Sequence, residues 1–205
     1  MKNCEPCRLL KRGALACAMV LVLAACATSM QMPSEELKRV APDEGIVVGS
    51  LQIKGGKDIL GRSTWELMAR RIKDSRMANL ASPGFEYAIQ ASRDGEEELF
   101  VTKMPAGVYA FWKLYQPGFS NFTQRTDVYF KVHPAAVTYI GKLVIEFPPG
   151  LISSSPPDPF TGRTGLKFQL KVEDAKAPTL DRARQKYGVG ADAVITDLMT
   201  ITAPN

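Results

Sequence analysis

One histidine, four cysteines and three consecutive glutamates are the side chains of this chain best suited to chemistry. His133 stands before Pro134. A Ser-His-Asp or Cys-His mechanism would have to use it as general base. No G-x-S-x-G accompanies it, and its surroundings read as a hairpin turn. His133 is therefore expected to be a turn residue, and no catalytic residue is assigned. Cys4 and Cys7 form a C-x-x-C without a second ligand pair or a following βαβ pattern, which argues against zinc and redox roles. A zinc ion on His133 would need three carboxylates, and no D-x-D-x-D-G spacing for calcium occurs. Glu96-Glu97-Glu98 follows a turn and reads as a solvated edge. Gly55-Gly56-Lys57-Asp58 lacks the first glycine and the Ser/Thr of a phosphate loop. Gly188-Val189-Gly190 lacks the third glycine of a dinucleotide fingerprint. No cofactor and no metal are expected.

The remaining chemistry belongs to Cys26. Lys2, Arg8, Lys11 and Arg12 form a basic leader, and residues 13–23 follow without a charge. That run suits the apolar region of a signal peptide and is too short to span a bilayer. It closes on Leu23-Ala24-Ala25-Cys26. The pattern resembles the bacterial lipoprotein signal with its lipobox. The resemblance implies diacylation of the Cys26 thiol, cleavage between Ala25 and Cys26, and acylation of the new amino terminus. Residues 1–25 would then be a signal peptide and would take Cys4, Cys7 and Cys17 with them, leaving no disulfide. Of 26 basic and 21 acidic residues, Lys2, Arg8, Lys11, Arg12 and Glu5 precede Cys26, so the charge falls from +5 to +2 after it. The sequence pI of about 9.0 is thus partly a targeting signal, and no nucleic-acid partner is expected.

Beyond the signal peptide, residues 26–44 are polar with Pro33 and Pro42, and read as a flexible tether to a domain over 45–205. Ile46, Val47, Val48, Leu51 and Ile53 open a first strand. Residues 63–77 carry Ser63-Thr64-Trp65-Glu66, which fits a capping box, and Trp65, Met68, Ala69 and Ile72 fall on one helical face. A short inserted helix is expected there. Strands then follow over 85–91, 99–101, 108–115, 127–132, 137–147 and 165–174, separated by Gly- and Pro-bearing turns. In the last, Leu166, Phe168, Leu170 and Val172 alternate against Lys167, Gln169 and Lys171. Residues 179–187 read as a short C-terminal helix with Gly188 at its C-cap. Residues 191–202 are ambiguous between strand and helix.

Seven strands at this spacing predict a mainly β protein, an antiparallel seven-stranded β-sandwich with one inserted helix and one C-terminal helix. Pro105-Ala106-Gly107-Val108-Tyr109 resembles the P-x-G-x-Y turn and strand of transthyretin-like (prealbumin-like) sandwich domains. The run from Phe130 to Gly141 resembles a hairpin of uncharacterised proteobacterial lipoproteins with that fold, with Ala135 where their pattern has Gly. The resemblance covers roughly residues 45–187. It implies a fold and brings no activity or cofactor.

Two surface features are candidates for a ligand or partner. Phe119 and Phe122 sit in a loop beside Gly118 and Ser120, where exposure would be informative. Arg70, Arg71, Lys73 and Arg76 belong to a stretch more basic than the mature chain as a whole, suited to anionic headgroups or an acidic partner. The expectation is a non-enzymatic lipoprotein held in the membrane through Cys26, acting as an interaction or structural module of the envelope with an envelope protein as partner. Ala27, in place of the Asp associated with inner-membrane retention, points to the outer membrane facing the periplasm. A small-ligand or glycan binder, shaped by the 148–165 loop, is the alternative, and an enzyme of unknown type is third.

Overall fold

Two apolar alternations of period two, stacked face to face, make the frame of this protein. The computed structural model describes residues 28–55, 64–72, 86–92, 96–115, 123–148, 167–190 and 193–202. In chain order its elements are β1 (Thr28–Ser29), α1 (Ser34–Leu37), β2 (Glu44–Lys54), β3 (Thr64–Arg71), β4 (Glu86–Ser92), β5 (Glu98–Pro105), β6 (Gly107–Tyr115), β7 (Thr123–Val132), β8 (Val137–Glu146), β9 (Gln169–Glu173), α2 (Lys176–Tyr187), β10 (Val194–Thr196) and β11 (Thr200–Ile201). One sheet runs β1-β4-β3-β6-β7-β11. The other runs β10-β8-β2-β5, and β9 joins the same side of β8 as β10, farther along the strand. Among the described residues, no helix is long and apolar enough to cross a membrane.

Trp65, Leu67 and Ala69 of β3 face Val47, Leu51 and Ile53 of β2 within one cluster that also takes Tyr109, Phe111, Val128 and Phe130. Phe111 and Phe130 lie 4.8 Å apart between ring centres, and Trp65 stacks on Phe147 at 5.2 Å. Large aromatics supply most of the buried area in such a core. The outer face of the second sheet is covered by α2. There Ile46, Val48, Val101 and Tyr139 meet Leu180 and Ala183. Gly188 caps α2 in the left-handed conformation and donates its N–H to the Arg184 carbonyl at 2.9 Å.

Several expectations are corrected. Residues 64–71 are a strand, not a helix. Trp65, Leu67 and Ala69 alternate inward while Trp65, Met68, Ala69 and Ile72 also fit a helical stripe, and pairing with β4 on one side and β6 on the other decides the matter. The described strands number eleven rather than seven, because the expected inserted helix is strand β3 and the two end segments add the short β1, β10 and β11. The sheets are mixed, since β1–β4, β2–β8 and β10–β8 pair parallel. The stretch read as a tether is packed from residue 28 onward: Met30, Met32 and Leu37 are buried.

Strand β8 also departs from simple alternation. Val137 and Tyr139 face α2, whereas Leu143, Ile145 and Phe147 face the main core. Val48 pairs with Tyr139 but Ser50 pairs with Lys142, so β8 carries one extra residue at Gly141, whose φ is +94°. A single inserted residue moves every later side chain to the opposite face. The bulge also marks where the outer neighbour of β8 changes from β10 to β9.

Candidate functional site

Of the residues singled out in the sequence, Cys26, Phe119, Phe122, Lys73 and Arg76 lie outside the described residues, as do residues 149–165 of the long loop. Arg70 and Arg71 are described, and consecutive positions on β3 send them to different tasks. The Arg71 guanidinium donates through Nη2 to the Ala106 carbonyl at 2.6 Å. Ala106 donates its own N–H to the Asp43 carbonyl at 2.7 Å, and the Tyr109 hydroxyl donates to the Pro105 carbonyl at 2.8 Å. A β-carbon on Gly107 would lie 2.7 Å from Arg71 Nε and push the guanidinium aside, and the residue's φ of +153° itself favours glycine. The Pro105–Tyr109 motif is thereby a turn held by its own tyrosine and by Arg71. Burial, and then the neighbouring Tyr87, push the Tyr109 phenol well above its ordinary pKa, which keeps it a donor.

Arg70 points to the outer face of the six-stranded sheet. Its guanidinium carbon sits 4.6 Å from the centre of the Trp112 ring, and Lys113 Nζ sits 5.7 Å from the same ring. Two adjacent residues of β6 share this face because the strand bulges. Ala69 pairs with Phe111 but Met68 pairs with Lys113, and β7 shows the matching shift. On β7, Arg125 Nε bonds Asp127 Oδ1 at 2.6 Å, which raises the guanidinium's pKa, and Thr126 Oγ1 donates to the Phe111 carbonyl at 2.6 Å. The sequence does hold a signal for this arrangement. Phe111 and Leu114 both face the core at a spacing of three, which a regular strand does not allow.

His133 begins the turn between β7 and β8, as expected. Its Nε2 lies 2.8 Å from Asp197 Oδ2, with side chains 23% and 39% exposed. A His–carboxylate pair is part of a nucleophilic triad. Here it ties the turn to the C-terminal segment, and among the described residues no hydroxyl or thiol bonds the ring. Sixty-four residues separate the partners, and no local pattern announces such a pair.

The glutamate run is more than a solvated edge. Glu97 accepts Arg182 Nη1 at 2.9 Å and lies 3.1 Å from Lys142 Nζ, which fixes α2 against β5 and β8. A polar cleft of about 400 Å³ is lined there by Glu96, Glu97, Glu98, Arg182, Gln185 and Lys186. A second cleft of about 410 Å³ is lined by Glu146, Phe147, Pro148, Lys167, Phe168 and Gln169, at the foot of the long loop. Among the described residues no group of three His, Cys, Asp or Glu is placed to hold a metal ion.

No protein-family model, curated protein or solved structure matches the chain. The geometry therefore defines a class, a mainly β, two-sheet sandwich-like domain with one flank covered by a helix, and no relative adds an activity to it.

Proposed function

We propose that this chain is an envelope lipoprotein, anchored through Cys26, whose transthyretin-like domain serves as an interaction or structural module rather than as an enzyme. The observation that carries the reading is Leu23-Ala24-Ala25-Cys26 placed directly after a basic leader and an uncharged run of eleven residues, 13–23. Two or three acyl chains give stable attachment where one does not. Ala27 favours the outer membrane, facing the periplasm. Mass spectrometry of the mature protein tests the reading. An amino terminus at Cys26 carrying acyl groups is expected, and Cys26→Ser should leave the precursor uncleaved. An unmodified Cys26, or cleavage elsewhere, overturns it.

A small-ligand or glycan-binding lipoprotein is the second reading. It is favoured by the cleft beside Phe147 and Phe168, an aromatic pair 5.6 Å apart edge to face. Aromatic rings flanked by polar groups suit sugar faces. Chemical-shift changes confined to Phe147, Lys167 and Phe168 on titration with envelope glycans would establish it, and their absence would remove it.

A further inference from the structure

The two outer faces of this sandwich differ in kind. One is covered by α2 over an apolar cluster. On the other, that of the six-stranded sheet, no described helix or strand packs. This face carries Arg70, Trp112, Lys113, Arg125, Tyr129 and Lys131, and beside Lys131 stands Val108, 44% exposed. Its carboxylates are Glu66, Asp127, which is bonded to Arg125, and Glu86, whose register position is opposite Arg70. An indole bracketed by two cations, next to a tyrosine and further basic side chains, has the composition of a surface that meets charged headgroups above an apolar layer.

We infer that this face lies on an anionic phospholipid bilayer. The inference rests on the lipid-anchor reading and deepens it. Cys26 precedes Thr28 by two residues, at most about 7 Å of chain. Thr28–Ser29 is the edge strand of this same sheet, paired with Tyr87 and Ala88. Trp112 on β6 is three strand spacings away, about 14 Å. The segment after the anchor is fixed as well: Met30 donates to the Ala88 carbonyl and Met32 to the Val101 carbonyl, which removes the slack that would let the domain turn away. An acylated Cys26 therefore holds the edge of this sheet at the headgroups, and the four cations against three carboxylates, with Lys131 and Arg70 beside the aromatic side chains, draw that face down.

The chain supplies its own probe. It has two tryptophans, and Trp65 is fully buried in the core, so a quencher carried on lipid headgroups reads Trp112. The purified mature protein is reconstituted in phosphatidylcholine vesicles, with and without phosphatidylglycerol, containing a headgroup-labelled quencher lipid. The expected result is loss of the Trp112 share of the emission, greater with phosphatidylglycerol, and no such loss in Trp112→Phe. Lys131→Glu, and Arg70→Glu with it, should restore the emission while the protein still sediments with the vesicles. Lys131 is exposed, so its single variant serves even where the double variant unfolds. Unquenched Trp112 on protein whose Cys26 is acylated by mass overturns the inference and leaves the face to a protein partner. Quenching indifferent to lipid charge and to both variants overturns it too. An unacylated Cys26 is a different result: it removes the anchor, and this inference falls with it.

Discussion

Met30 and Met199 fill the two opposite open sides of the sandwich, each carried there by a segment that bonds both sheets. Met30 donates its N–H to Ala88 of one sheet, and two residues on Met32 donates to Val101 of the other. At the far side Met199 donates to Ile140, and Thr202 then donates to Asp127. Both methionine side chains belong to the main core, 0% and 5% exposed. A sandwich without such segments leaves two edges open to pairing with other chains. Met30→Ala and Met199→Ala are each expected to cost about 2–4 kcal/mol, and the losses should add because the sites are far apart. The Leu variants should cost less than about 1.5 kcal/mol. Urea melts decide, and a loss below about 0.5 kcal/mol at either alanine would show that the segment is not part of the core.

Ala135 adopts φ +51° in the turn between β7 and β8, a left-handed conformation that disfavours a β-carbon. Its N–H donates to the Glu44 carbonyl at 2.7 Å, so the turn is held in this shape from outside. The side chain is exposed and fills no core space. Ala135→Gly should therefore raise stability by about 0.5–1 kcal/mol, the relief of strain being partly offset by the greater freedom of the unfolded chain. Thermal unfolding at matched concentration would show it, and a lowered melting temperature would contradict the turn geometry.

Much of the strand order was legible because a half-buried strand writes its two faces into the chain. Phe168, Leu170 and Val172 pack against the core while Lys167, Gln169 and Lys171 are exposed, as their alternation requires. The misreadings have a common cause, which is that they depend on partners distant in sequence. Trp65, Met68, Ala69 and Ile72 fit a helix locally, and only β4 and β6 on either side make the segment a strand. Val137 to Phe147 reads as one alternating series, yet the bulge at Gly141 divides it between two clusters. Residues 28–37 are polar enough to read as tether, and three apolar side chains among them suffice to dock the segment. The Arg70–Trp112 contact needs both a cross-strand register and a bulge, so composition alone indicated the basic stretch without its aromatic partner.

His133 and Asp197 join a turn to the C-terminal segment across 2.8 Å, so a substitution at His133 should do more than alter an isolated turn. Both side chains are partly exposed, which limits the pair to about 0.5–1 kcal/mol. A double-mutant cycle with His133→Ala and Asp197→Ala should return a coupling energy of that size. Amide exchange at Asp197 and Met199 should quicken in either single variant, because both N–H groups bond β8 beside the pair. Zero coupling with unchanged exchange would reduce the contact to a surface coincidence.

Tyr139 gives the fold a weakness at high pH. The ring is fully buried under α2, and its hydroxyl accepts the Ala175 N–H at 2.7 Å where the helix begins. Burial pushes the phenol from 10.0 up to about 12, because the charged form loses its water. The native state therefore keeps this proton to higher pH than the unfolded chain does. The contribution is complete below pH 10 and is lost as pH rises through about 12, and raised values at Tyr87 and Tyr109 act in the same direction. Urea midpoints should hold steady at neutral and mildly alkaline pH and fall steeply above pH 10. Tyr139→Phe should lower stability at pH 7, by about 1 kcal/mol for the lost hydrogen bond, and should flatten the alkaline decline. A Tyr139→Phe protein whose stability falls with pH as steeply as the parent would place the alkaline transition elsewhere in the molecule.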